Sequence, residues 1–152
     1  MRHNSKQLGF SLLEILIVIA ILAILVSIAI PAYENYKDKK NIALAKTDIL
    51  ELQVIIDRFY VSNNRFPDTL AEISENIRRD PWGNAYYYTN VSTAKNKGSV
   101  RKDKNLTPVN SDYDLYSAGK DGLTRLPFTA QQSQDDIVRC NNGSFIGLAL
   151  DY

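Results

Sequence analysis

Residues 10–33 read FSLLEILIVIAILAILVSIAIPAY, an apolar run broken only by Ser11, Glu14 and Ser27. As a helix the run extends about 36 Å at about 1.5 Å per residue, which exceeds the roughly 30 Å hydrocarbon core of a bilayer. Beyond Tyr33 the pattern turns amphipathic. Ile42, Ala45, Ile49, Leu52, Ile56 and Phe59 recur at spacings of three and four, on one helical face. Lys37, Lys39, Lys40, Lys46, Asp48, Glu51 and Asp57 fill the other positions. Together the two stretches predict one helix from Phe10 to about Ser62, roughly 80 Å long. Its first half is apolar all round, and its second half has a dry face and a wet one. Pro31 removes a backbone donor and is expected to kink or loosen it. Asn63 and Asn64 end it.

The remaining pattern predicts short elements. Arg65-Phe66-Pro67-Asp68 is a turn, and Asp68 or Thr69 caps a short helix from Leu70 to about Ile77. Pro81-Trp82-Gly83-Asn84 is a second turn, followed by a Tyr-rich strand over 85–89. Residues 91–109 carry Lys95, Lys97, Arg101, Lys102 and Lys104 among few apolar residues and read as an exposed loop. A second strand is expected over 112–116, a turn over 119–122 and a third strand over 145–150. The fold class that follows is α+β: a long N-terminal helix, membrane-spanning in its first half, packed by its dry face on a small antiparallel sheet. Trp82, Tyr86 and Tyr88 are expected to build the apolar face of that sheet. Packing also explains Tyr33, Tyr36, Phe59 and Tyr60 on the helix.

Composition narrows the function. The chain has 152 residues, with 18 Lys+Arg against 17 Asp+Glu, a formal +1. That balance argues against a strongly electrostatic nucleic-acid binder. The basic residues of the 95–104 loop read as solvated, and DNA binding there would show steep salt dependence. One cysteine, Cys140, excludes an intramolecular disulfide framework and a Cys-rich zinc site. It reads as a buried small residue. The one histidine, His3, leaves little imidazole chemistry. No catalytic constellation is visible, so an enzyme is not expected.

Arg2 and Lys6 precede the apolar run with no acid beside them, which holds the N-terminus in the cytoplasm and sends the rest across. A cleaved secretory signal is one reading, since Ser27 and Ala29 are spaced as a signal peptidase requires. Its apolar run is longer than a usual signal core and contains Glu14. A plain single-span anchor is another reading. Glu14 is the residue that either reading has to explain. An acid near the centre of a membrane helix costs roughly 2.5–3.5 kcal/mol on insertion scales, less near an end. The next basic residue is Lys37, about 35 Å up the helix. The natural partner of Glu14 is therefore a positive charge outside its own helix, on a neighbouring molecule or at a newly made N-terminus.

The stretch Gly9-Phe10-Ser11-Leu12-Leu13-Glu14, behind a short basic leader, resembles the prepilin peptidase motif of type IV pilins and type II secretion pseudopilins. The resemblance implies cleavage between Gly9 and Phe10, N-methylation of Phe10, and pairing of Glu14 with the Phe10 amine of the adjacent subunit. Cleavage takes the 18 basic residues to 16 against 17 acidic and removes the histidine. Residues 80–88, DPWGNAYYY, and 113–122, YDLYSAGKDG, resemble two segments of the major pseudopilins of type II secretion. Residues 90–111 have no counterpart in that pattern, and the Gly-rich loop that follows the second segment is replaced by Leu123-Thr124-Arg125-Leu126-Pro127-Phe128.

The resemblance implies three parts: a leader, 1–9; a transmembrane and assembly helix, 10–34; and a periplasmic pilin-like domain, 35–152. It also implies structural calcium, held by Asp121, Ser133 and Asp135 with the carbonyls of Ala118 and Val138, Asp136 being a substitute for Asp135. Without a metal, Asp121-Gly122 reads as a hairpin turn and Asp135-Asp136 as a solvated helix start. The function implied is a structural subunit of a helical pseudopilus in the inner membrane and periplasm of a diderm bacterium. Its partners would be further copies, minor pseudopilins, the prepilin peptidase, an inner-membrane platform and an outer-membrane secretin. One alternative is a surface type IV pilin for adhesion or motility, many of which carry a disulfide loop that a single cysteine forbids. Another is a membrane-anchored periplasmic binding domain that never polymerises.

Overall fold

Ser11 begins the long helix. Its Oγ accepts a hydrogen bond of 3.1 Å from the Glu14 backbone N–H, which satisfies one of the free donors of the first turn. In the computed structural model, which describes residues 9–94 and 97–152, helix α1 then runs Leu12–Asn63 through Pro31. Leader residues 1–8, with Arg2, His3 and Lys6, lie outside the described residues, as does Lys95. At the far end Asn64 takes a left-handed φ of 53° and donates its N–H to Tyr60 O at 2.7 Å, closing the last turn. The two asparagines therefore end the helix as their residue type predicts.

The chain divides into two compact units, Met1–Asp38 and Lys39–Tyr152. In the first, residues 9–37 are exposed throughout. By length and composition α1 can cross a membrane, and none of its apolar window is buried by protein. Side chains that stay apolar all round with no described residue covering them are suited to lipid or to other apolar helices.

In the second unit a four-stranded antiparallel sheet follows the order β1 (Tyr87–Asn90), β2 (Tyr113–Ser117), β3 (Ile137–Cys140), β4 (Phe145–Leu148). Tyr88 pairs with Leu115, Tyr116 with Val138, and Val138 with Gly147. Alternation along the strands sends side chains to two faces. Tyr113, Leu115 and Ile137 face α1 and form a core with Ala45, Ile49, Leu52, Ile56 and Tyr86, against which Trp82 and Tyr88 pack. Tyr116, Val138 and Cys140 point the other way, into a second core with Val109, Phe128 and Ala149. That second face is closed by paired segments. Lys102 N–H donates to Leu126 O at 3.2 Å, and Phe128 N–H donates to Lys102 O at 3.0 Å.

Four expectations change. The sheet has a fourth strand, β3, which the apolar pattern hid because Arg139 interrupts it. All four residues of β3 are buried, and the Arg139 guanidinium is satisfied by Asp112 at 2.7 and 2.9 Å, by Tyr113 O and by Gln53 of α1. The short helix over 70–77 is only a 3-10 turn, Leu70–Glu72, opened by a capping box in which the Glu72 carboxylate turns back to the Asp68 and Thr69 N–H groups and to Arg65. Asp48, assigned to the wet face, is buried, with the Tyr86 hydroxyl and Arg78 as partners. The loop over 91–109 is not exposed throughout: Val100, Arg101 and Val109 are buried as part of the cover on the sheet.

Candidate functional site

Two regions carry the predicted site residues. At the N-terminal end of α1, a Cβ added to Gly9 would meet no described atom within 4 Å, and Phe10 is exposed. Glu14 occupies the third helical position, where its backbone N–H is taken by Ser11. Its carboxylate is exposed and has no partner among the described residues. An acid in the first turn is favoured by the helix dipole, which offsets part of its cost in an apolar setting. The dipole supplies no counter-charge, so the carboxylate remains free to meet an ammonium group from elsewhere.

In the head, the two motif segments meet. Asp80 Oδ1 accepts hydrogen bonds from the Trp82 and Asn84 N–H groups at 3.1 and 2.7 Å, forming the turn, and Oδ2 accepts one of 2.5 Å from Ser117 Oγ at the end of β2. Asn84 Nδ2 donates to Gly119 O at 3.1 Å. Gly119 has a φ of 65°, and a Cβ there would stand 2.2 Å from Asp135 O. Only glycine lets the end of β2 run this close to the segment before β3.

The side chains expected to hold calcium fall into separate hydrogen-bonded groups. Asp121 and Asp135 stand together: Asp121 N–H donates to Asp135 Oδ2 at 3.0 Å, and Leu123 N–H donates to Asp121 Oδ1 at 2.7 Å. Ser133 Oγ lies apart from them in function, since it accepts from Arg125 N–H at 2.8 Å and donates to Arg125 O at 2.7 Å. Asp136, the substitute ligand, is fully buried and paired with Arg101 at 2.7 Å, with Thr124 Oγ1 donating to the same oxygen at 2.7 Å. Ala118 is buried, and Val138 is a ladder residue of an interior strand rather than part of an open loop. Among the described residues no cluster of three or more His, Cys, Asp or Glu is placed to hold a metal. A hard cation needs six to eight oxygens, about 2.3–2.6 Å away, and with Ser133 and Asp136 engaged elsewhere only two of the expected side-chain ligands, Asp121 and Asp135, stand together. The present residues therefore do not fit the expected shell.

Arg101 is what the sequence reading missed. The pattern along the chain puts it in a solvated basic loop, but its side chain is 2% exposed. Its guanidinium donates to Thr124 Oγ1 and Arg125 O, both at 2.7 Å, besides the Asp136 ion pair. It lies 4.3 Å from the Tyr116 ring centroid and 4.7 Å from that of Phe128. Its backbone N–H donates to buried Asp114 at 2.6 Å. Burial pushes the Asp136 carboxyl up to about 6, with Arg101 pulling it back down. The signal available in the sequence was the replacement of a Gly-rich loop by Leu123–Phe128, whose apolar and hydroxyl side chains read as a loop that packs.

Residues 4–30 match the family model described as the prokaryotic N-terminal methylation motif. That motif, ahead of an apolar helix and an α+β head, defines the class: a membrane-anchored, pilin-like protein. Over most of its length the chain resembles proteins named type II secretion system core protein G. The one from Escherichia coli (strain K12) is 30% identical over 143 residues, covering 80% of this chain and 88% of that protein. The one from Klebsiella michiganensis is 33% identical over 142 residues, covering 90% and 94%. The one from Vibrio cholerae is 28% identical over 142 residues, covering 80% and 86%. No solved structure gives a significant match. The chain belongs to the type II secretion core protein G family, the major pseudopilins.

Proposed function

We propose that this chain is the structural subunit of a helical pseudopilus that drives protein secretion across the outer membrane. A prepilin peptidase removes the leader, residues 1–9, between Gly9 and Phe10, and the new Phe10 amine is methylated. Residues 10–34 hold the subunit in the inner membrane, and residues 35–152 form its periplasmic head. The observation that carries this reading is Glu14, an exposed carboxylate in an apolar helix with no partner among the described residues. The Phe10 ammonium of a neighbouring subunit neutralises it as the subunit enters the filament. Such a contact is head-to-tail and does not close on itself, so it propagates as a fibre.

The work assigned to the protein is mechanical, with no enzymatic role. Subunits wait in the membrane and are drawn from it by an inner-membrane platform. Minor pseudopilins and an outer-membrane secretin complete the apparatus. A binding domain that stays monomeric would have no use for an unpaired acid at this position.

The test compares wild type with Glu14→Ala in cells. Wild type is expected to give crosslinked ladders and secretion, and its isolated subunit to begin at methylated Phe10 by mass spectrometry. Glu14→Ala is expected to lose ladders and secretion while its head stays protease-resistant. Normal ladders from Glu14→Ala, or a wild-type subunit beginning at Met1 or beyond Ala29, would remove the proposal.

A further inference from the structure

A loop with little regular structure has to be fastened to the sheet beneath it. In this chain the segment between β2 and β3 runs from Ala118 to Asp136, and its only regular element among the described residues is the 3-10 turn Gln131–Ser133. Three oxygens of different kinds converge on one positive group there: the Thr124 hydroxyl, the Arg125 carbonyl and the Asp136 carboxylate, each 2.7 Å from a terminal nitrogen of Arg101. Hydroxyl, carbonyl and carboxylate oxygens are also the donors that a hard divalent cation collects. We propose that Arg101 takes the place of a structural metal ion in this head, so that the loop is fastened by a cation carried in the chain and its stability is independent of calcium.

Three observations support this. First, two of the three oxygens and one of the two rings come from the part of the loop that departs from the family pattern. Thr124 and Arg125 supply the oxygens, and Phe128 supplies one of the two rings beside the guanidinium. Arg101 itself comes from 90–111, the other stretch with no counterpart. The two departures meet each other in space, as a replacement of one fastening by another requires. Second, the site is built for a cation held permanently. Arg101 and Asp136 have side chains 2% and 0% exposed, and the guanidinium lies by the Tyr116 and Phe128 rings. Aromatic rings favour a weakly hydrated planar cation such as guanidinium. Third, the charge arithmetic leaves no place for a second ion on Asp136. A divalent cation bound to this carboxylate would face the buried guanidinium across a few ångströms of low-dielectric interior.

Asp136 Oδ1 and Arg101 Nε, both buried, have no hydrogen-bond partner among the described residues. They mark where the fastening is imperfect, and one spare carboxylate oxygen is far short of a metal shell. The inference concerns the head alone and holds whether or not the chain polymerises.

The experiment uses the full-length chain in detergent micelles, melted while the near-UV circular dichroism is followed, with EGTA or with about 5 mM calcium, ample for weak extracellular-type sites. Wild-type melts are expected to superimpose within about 1 °C, because a ligand that does not bind the native state does not move its midpoint. Arg101→Gln is expected to melt roughly 10 °C or more below wild type, since it strands a buried carboxylate. Arg101→Lys is expected to fall between them. A wild-type midpoint that drops by about 5 °C or more in EGTA would overturn the proposal, as would an Arg101→Gln protein that melts with wild type. If Arg101→Gln does not fold, the wild-type pair of melts still decides.

Discussion

Asp80 and Ser117 meet in a 2.5 Å hydrogen bond, from the serine hydroxyl to Asp80 Oδ2, that joins the two motif segments of the head. Both residues are buried. Oδ1 of the same aspartate holds the turn formed by residues 80–84, so one carboxylate both shapes that turn and fixes it to the end of β2. Ser117 Oγ also accepts from Gly119 N–H at 3.1 Å, which carries the connection into the tight approach at Asp135. The sequence shows two separate motifs, and the fold makes them one hydrogen-bonded unit.

Removing that carboxylate should therefore cost more than removing its partner. Asp80→Ala deprives three donors and is expected to destabilise the head by about 3 kcal/mol, and Ser117→Ala by about 1 kcal/mol. Because the residues share a network, the double variant should lose less than the two single losses combined. Urea unfolding of the four proteins measures the cycle. Strict additivity would mean that the hydrogen bond carries no coupling.

Asp48 supports a second prediction of unequal effects. It accepts from the Tyr86 hydroxyl at 2.8 Å in the core and from Arg78 at 3.0 Å near the surface. Tyr86→Phe leaves a buried carboxylate oxygen short of a donor and should cost about 1–2 kcal/mol. Arg78→Ala should cost about 1 kcal/mol or less, because the Arg78 side chain is 63% exposed and water screens its ion pairs with Asp48 and Glu51. Equal losses in the two variants would refute the ranking.

What was legible in the sequence follows from which physical signals are local. The helix Leu12–Asn63, its dry face at Ala45, Ile49, Leu52 and Ile56, and the strands β1, β2 and β4 are written in periodicity and turn residues. Glu14 stands out because a charge in an apolar run is a local anomaly, whereas Gly9 and Phe10 are singled out only by the resemblance to the prepilin motif. β3 was missed because Arg139 is tolerated in an interior strand only through partners at Asp112 and Gln53, and those lie far away in the chain. Arg101 was missed for the same reason. A basic residue among lysines looks solvated until the fold brings Asp136 to it. Buried ion pairs are properties of two distant residues, and a pattern read along one stretch does not contain them.

Cys140 tests the reading of a lone cysteine as a packing residue. It is fully buried in the second core, and burial pushes its thiol up to about 12. At pH 8 its thiolate fraction should be roughly a thousandfold below that of an exposed cysteine. Iodoacetamide is expected to leave the native subunit unlabelled over the time in which the urea-unfolded chain is fully alkylated. Rapid native labelling, followed by mass spectrometry, would show that β3 opens readily or that the thiol is accessible.

The buried tyrosines give the head a defined alkaline limit. Burial raises the phenol of Tyr86, and a neighbouring Asp48 raises it further; burial also raises Tyr113 and Tyr88. In the unfolded chain these phenols titrate near their ordinary value of about 10. Between that value and the raised folded one, the native state binds more protons than the unfolded state, so stability falls as pH rises. The contribution is fully present below about pH 10 and is lost above it, at up to about 1.4 kcal/mol per pH unit for each such tyrosine. The urea midpoint is therefore expected to hold steady from about pH 7 to 9 and then to drop steeply, with the share of tyrosinate absorbance that belongs to the buried phenols appearing only together with unfolding, since Tyr33, Tyr36, Tyr60 and Tyr87 are exposed. Tyr113→Phe should make the drop shallower. Tyrosinate absorbance that develops fully while the far-UV signal stays native would mean that these phenols ionise within the folded head.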